Sequence, residues 1–137
     1  MSLFVDTSMR YAAADKSDLG NQAAKKVPMH SERLVTTDHV LIETWTLIRN
    51  RMGRRAADRF WLGLRNAVAA VETIGPADLD AAWQIGTAYS DQDFSIVDRT
   101  SFAVMRRLGI DRAASLDDHF AIFRFGPGRR RAFTVVR

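Results

Sequence analysis

The chain contains no cysteine among its 137 residues. That excludes a disulfide framework and any thiolate metal site. Long apolar runs are also missing; none approaches the roughly 18–20 residues that cross a bilayer as a helix. No basic segment followed by an apolar one opens the sequence, so no secretory signal is evident. Internal repeats and low-complexity tracts are absent too. Together these absences set the expectation of a cytoplasmic protein with no membrane segment. What is present suffices for a core: 47% of the residues are hydrophobic, and the length fits one domain over 1–137. Twenty Lys and Arg against sixteen Asp and Glu leave a charge of +4. That balance suits a polyanionic partner but is shared by many proteins that bind no nucleic acid.

The apolar run Leu3-Phe4-Val5 reads as a short buried strand ending at Asp6. A helix is expected to start over Met9 to Ala14. A polar, Gly-containing loop and a second helical piece follow, up to the two lysines Lys25 and Lys26. "RLVTT" (33–37) is a β-branched strand, and Asp38 is placed to cap a helix that stops near Gly53. "RRAADRFWLGLRNA" carries Ala57, Phe60 and Leu64 on one helical stripe. "VAAVETIG" reads as a strand, and Pro76 suits the first turn of the next helix. Ser95 and Asp98 form a capping box for the helix that Gly109 ends. "RAASL" is then a strand followed at once by "DDHF", and "RAFTVV" a last, edge strand. This alternation predicts an α/β domain with a largely parallel sheet and helices on both faces. Sites in such sheets lie at the carboxyl ends of the strands, where Asp6 and Asp117 both fall.

Two helical acids face the wrong way for solvent. With Val40 at zero and about 100° per residue, Leu47 falls about 20° away and Glu43 about 60° away, on the same side. With Asp98 at zero, Phe102 lies about 40° to one side and Met105 about 20° to the other. Arg99, Arg106 and Arg107 take the opposite half. Asp6, Glu43, Asp98 and Asp117 thus all point inward or to one sheet edge. An unpaired buried carboxylate costs several kcal/mol, so a basic side chain, backbone donors or a cation must offset it. Oxygen ligands without Cys or a His pair favour a hard ion, Mg²⁺ or Mn²⁺. Each residue also has an ordinary reading. Asp98 alone is a helix cap, Glu43 the partner of an Arg or Lys, and Asp117 the start of a turn with Asp118. His119 reads as packed or turn-bonding. Trp45, Trp61 and Trp83 read as core, and "RNRMGRR" (49–55) and "GRRR" (128–131) as solvated segments.

Four segments carry a resemblance. "FVDTS", "LVTTDHVLIETWTLIRNRMG", "DQDFSIVDRTSFAVMRRLGI" and "AASLDDHF" resemble the acidic motifs of PIN-domain proteins, specifically of VapC-type ribonuclease toxins, with Asp6, Glu43, Asp98 and Asp117 in the four acidic places. The resemblance implies a three-layer α/β/α sandwich around a central, largely parallel sheet. It further implies Mg²⁺- or Mn²⁺-dependent cleavage of RNA to a 3′-hydroxyl and a 5′-phosphate, a homodimer, and a cognate antitoxin that covers the active site. Asp6 and Asp98 are then the principal metal ligands, with Glu43 and Asp117 completing the shell directly or through water. Asp93 is a candidate accessory ligand, and Asp118 a competitor of Asp117. Thr7, Ser8, Arg10 and Arg99, together with Arg49, are candidates for contacts with the RNA. The alternatives are a PIN-like nuclease that is not a toxin and a non-catalytic, acid-lined binding module. A haloacid-dehalogenase-type phosphatase needs a second aspartate two residues after Asp6, where Ser8 stands. A response-regulator receiver needs an adjacent acidic pair on the first strand, which Val5-Asp6 lacks.

Overall fold

A computed structural model describes residues 1–9 and 32–137. The helix expected over Met9 to Ala14, the loop and helical piece after it, and Arg10 lie outside the described residues. Strand β1 (Ser2–Val5) is paired in parallel with β2 (Arg33–Thr37) on one side and β4 (Arg112–Ala114) on the other. β3 (Ala70–Glu72) pairs with β2, and β7 (Thr134–Val136) with β4, both in parallel. The order is therefore β3-β2-β1-β4-β7, an all-parallel five-stranded sheet. Alternation along β1 splits the core between its faces. Phe4 joins Val35, Val40, Phe102 and Ala113 on one face, whereas Leu3 and Val5 join Leu34, Met9 and Ala114 on the other.

Helices α1 (Asp38–Met52) and α2 (Arg54–Ala67) pack as a pair after β2. Ile48 and Ala57 are buried between them. The cap of α1 is Thr37, whose hydroxyl accepts from the Val40 amide at 3.0 Å; Asp38 is the first helical residue instead. The Asp38 carboxylate accepts from the amides of His39 and Ile74, tying α1 to the segment after β3. Helices α3 (Pro76–Ala88) and α4 (Ile96–Leu108) form a second pair, and Gly109 ends α4 in the left-handed region at φ 69°. A one-turn helix α5 (His119–Ile122) follows β4. The expected last strand is two pieces. β6 (Arg131–Ala132) forms an antiparallel ribbon with β5 (Arg124–Phe125), and only β7 joins the main sheet. Phe133 is buried between those pieces among Phe102, Phe120, Phe123 and Phe125. Burying that ring turns the chain at Phe133 and divides the strand. Of the tryptophans, Trp45 packs half-buried against the Ile48 and Ala57 cluster with its indole N–H on Asp58, whereas Trp83 is 72% exposed and Trp61 37%.

Candidate active site

β1 leads straight into the site. The Asp6 amide donates to the Ala114 carbonyl at 3.2 Å, extending the β1–β4 pairing one residue beyond the strand. Asp6 therefore stands at the carboxyl edge of the central strand, almost wholly buried. Its Oδ1 accepts from Ser8 Oγ (2.7 Å) and the Met9 amide (3.2 Å), and its Oδ2 from Ser115 Oγ (2.8 Å). Ser115 Oγ in turn accepts from the Asp117 amide, and Ser8 Oγ from the Leu116 amide, both at 3.0 Å. The loops leaving β1 and β4 are thus stitched together through two serines.

The other acids arrive from separate elements. Asp98 makes the expected capping box, with its amide on Ser95 Oγ and its Oδ2 accepting from the Ser95 amide, each at 3.0 Å. The same Oδ2 lies 2.7 Å from His119 Nδ1. Asp117 Oδ1 accepts from the His119 amide at 2.8 Å and lies 3.3 Å from the imidazole. Asp98, Asp117 and His119 each offer one ligand atom within 4.8 Å of the others. Glu43, half-buried on α1, faces the same cleft of about 300 Å³, which Asp6, Thr7, Ser8 and the exposed Asp93 also line. Among the described residues no salt bridge reaches Asp6 or Glu43.

The electrostatics follow from that crowding. Burial pushes the Asp6 carboxyl up to about 7 despite its hydrogen bonds from Ser115, Ser8 and the Met9 amide, and the charge of Asp117 adds to the rise. Burial also raises Glu43, the nearby Thr7 hydroxyl opposing it and the charge of Asp98 reinforcing it. For His119, burial favours the neutral ring. The hydrogen bond to Asp98 and the charges of Asp117, Asp98 and Asp93 outweigh it, so its pKa is raised. Two buried hydroxyls, Thr7 Oγ1 and Ser101 Oγ, make no hydrogen bond of normal geometry among the described residues, and both line this cleft. Carboxylate oxygens in excess, a single imidazole and buried hydroxyls fit a hard divalent cation with its water.

The structure brings Asp6, Glu43, Asp98 and Asp117 to one cleft, with Asp93 at its rim and Thr7 and Ser8 in its wall. Asp118 points elsewhere, pairing with Arg137 at 2.9 Å. Arg99 does not reach the cleft. It is one residue, about 100°, round α4 from Asp98, its Nε donates to the Phe94 carbonyl at 2.9 Å, and its guanidinium lies against Gly86 of α3. Three residues of the site were not singled out from sequence: Ser115, Ser101 and, as a partner of two acids, His119. The only signal was position. Ser115 sits between a strand end and Asp117, and His119 two residues beyond it.

Residues 3–126 match the PIN domain family. Over 121 residues the chain is 39% identical to the 23S rRNA-specific endonuclease VapC20 of Mycobacterium tuberculosis, covering 87% of this chain and 92% of that protein. It is 27% identical over 137 residues to Ribonuclease VapC26 of the same organism, covering 98% and 99% of the two chains. The crystal structure of Mycobacterium tuberculosis VapC20, described as a sarcin-ricin loop cleaving toxin, superposes with a TM-score of 0.79 at 35% identity, covering 87% and 92%. The chain therefore belongs to the PIN-domain family and is a ribonuclease toxin of the VapC type, a metal-dependent endoribonuclease. The family expected from the four acidic segments is the family found, and the non-catalytic alternative is set aside.

Proposed function

We propose that this chain, a single domain over 1–137, holds Mg²⁺ or Mn²⁺ at Asp6 and Asp98. Glu43 and Asp117 complete the shell directly or through water, with Asp93 accessory. The substrate proposed is a loop of large-subunit ribosomal RNA, by analogy with VapC20. The observation that carries this reading is Asp6. It is a buried carboxylate with no basic partner among the described residues, in one cleft with four more acids and two buried hydroxyls. Bound there, the ion supplies Lewis-acid polarisation of a phosphoryl oxygen and makes water a better nucleophile. The chain's own groups do the rest. Glu43, with its raised proton affinity, accepts a proton from the attacking water. Thr7 and Ser8 orient the phosphate or a ligand by hydrogen bonding.

Incubating the purified chain with large-subunit RNA in Mg²⁺, Mn²⁺ or EDTA, and mapping the new 5′ ends, tests the reading. A single cut in one loop, abolished by EDTA, is the expected result. Equal cleavage in EDTA overturns the metal site, and scattered cuts overturn the loop specificity.

The family supplies the expectation of partners, and the charge pattern the antitoxin's mode of binding. The chain acts in the cytoplasm as a homodimer, and its antitoxin blocks the cleft by inserting an Arg or Lys among the four acids in the cation's place. Co-purification with the product of an adjacent small reading frame should survive EDTA and weaken in Asp98→Asn. A complex insensitive to that substitution would place the antitoxin elsewhere.

A further inference from the structure

A second groove, of about 370 Å³, lies between α3, α4 and the β5–β6 ribbon. Its floor is apolar, built from Ala81, Ile85, Ala88, Ala103, Phe123 and Phe125. Its rim is cationic. Arg106 sits over the Phe125 ring at 4.9 Å and Arg129 over the Tyr89 ring at 4.9 Å, and both arginines line the groove. Arg130 and Arg131 follow directly in the chain, all exposed. None of these four guanidiniums has a carboxylate partner among the described residues, in contrast to Arg107, Arg112 and Arg137. Arg129 is also held at φ 52°, a left-handed conformation unusual for a side chain of this kind.

The groove adjoins the acidic cleft. The Phe94 ring is 5.5 Å from Tyr89, which lines the groove, and 5.2 Å from His119, which lines the cleft. One aromatic ring therefore separates the two. An apolar floor under uncompensated guanidiniums matches a nucleotide: the base lies on apolar and aromatic surface or stacks on a guanidinium plane, and the phosphate meets the positive charge. A protein occupant would have to bring its own acids to this rim.

Resting on the ribonuclease reading above, we propose that this groove binds a nucleotide of the substrate strand a few residues from the scissile bond, with Arg106 and Arg129 on its phosphates. It is a positioning subsite, separate from the acids that cut. The test compares wild type with the double variant Arg106→Gln, Arg129→Asn (Asn tolerates the left-handed backbone) and with Ala88→Glu, which puts a carboxylate on the exposed edge of the floor. Each is checked for an unchanged melting curve. For a loop RNA with flanking strands, KM should rise about tenfold with kcat unchanged, because two charge-assisted contacts are lost. Cleavage of a minimal fragment spanning only the scissile bond should not change. In EDTA, where nothing is cut, fluorescence anisotropy of the longer RNA should show the salt slope falling by roughly 1.4, about 0.7 per phosphate contact. Unchanged KM and salt slope in both variants overturn the subsite. Loss of antitoxin co-purification with unchanged RNA affinity overturns it too and assigns the groove to the antitoxin. A wild type that binds the RNA in EDTA yet cuts nothing in Mn²⁺ would instead count against the ribonuclease reading.

Discussion

Asp6 and Asp78 each show only 5% of their surface to solvent, but Asp6 lies much deeper, and their carboxyls are driven in opposite directions. Asp78, in the first turn of α3, faces Arg107 of α4. It accepts from Arg107 Nε at 3.0 Å and Nη2 at 3.2 Å, and from the Gly75 amide at 3.1 Å. Burial alone would raise its carboxyl, but the arginine and the amide hold it below the usual range. Asp6 also has three donors, but they are two hydroxyls and an amide, and burial wins. Two things differ: Asp6 lies deeper, and only Asp78 has a cation of the protein beside it. Where the chain supplies one, the carboxylate is a clamp between two helices. Where it does not, the carboxylate stays buried with a raised proton affinity, which is why the proposed metal is placed there.

Removing a charge from the acidic cleft should have the largest effect. Asp98→Asn should reduce cleavage more than about a hundredfold, since a metal ion contributes several kcal/mol to the transition state. The amide keeps an acceptor for the capping box, and relief of the repulsion of Glu43 opposes loss of the charge beside His119, so the melting temperature should change little. A large fall in melting temperature with retained cleavage would make Asp98 a cap and nothing more.

Next comes the pH dependence of the metal-free protein. Asp6 shifts from 3.8 to about 7 on folding. A raised carboxyl favours the fold most below the unfolded value, and that contribution is lost as pH rises through the folded one. The loss is on the order of 4 kcal/mol between pH 4 and pH 8. Asp6→Asn should flatten that part of a melting-temperature profile taken in EDTA. Mn²⁺ should raise the melting temperature of the wild type at pH 8 but not that of the variant.

Breaking the paired region should do the reverse. Asp78→Asn should cost about 2 kcal/mol in denaturant unfolding, less than for a fully buried pair because Arg107 is partly exposed. Cleavage well below the melting temperature should be unchanged. A comparable loss of activity would mean that the two carboxylates do not divide structure from function in this way. The smallest effect is expected from Ser115→Ala, which takes one hydrogen bond from Asp6 and leaves the Asp117 amide without its acceptor. A loss of about 1–2 kcal/mol in stability and of roughly tenfold or more in Mn²⁺ affinity should follow. Calorimetric titration showing unaltered affinity would reduce Ser115 to a structural link.

Much of the site was legible because side-chain direction is periodic within an element. The period of 3.6 turned Glu43 and Asp98 inward, and the strand endings put Asp6 and Asp117 at one edge. The capping box at Ser95 and Asp98 is local and was equally readable. Arg107 was legible only as solvent-facing, because its partner Asp78 is 29 residues away on another helix. Trp83 read as core from its size alone, and neither its size nor its position along α3 tells which face of that helix is covered.

From the sequence by itself came the class of fold, the four acids and the hardness of the ligand set they imply, since these depend on residue type and on spacing within single elements. The tertiary structure alone decided which groups those acids meet. It linked Ser115 to Asp6 across 109 residues, set His119 between Asp98 and Asp117, sent Asp118 to Arg137 and turned Arg99 toward α3. Each of these depends on how separate elements pack. Packing is chosen by the whole core at once, around rings such as Phe102 and Phe133, and no local spacing encodes it.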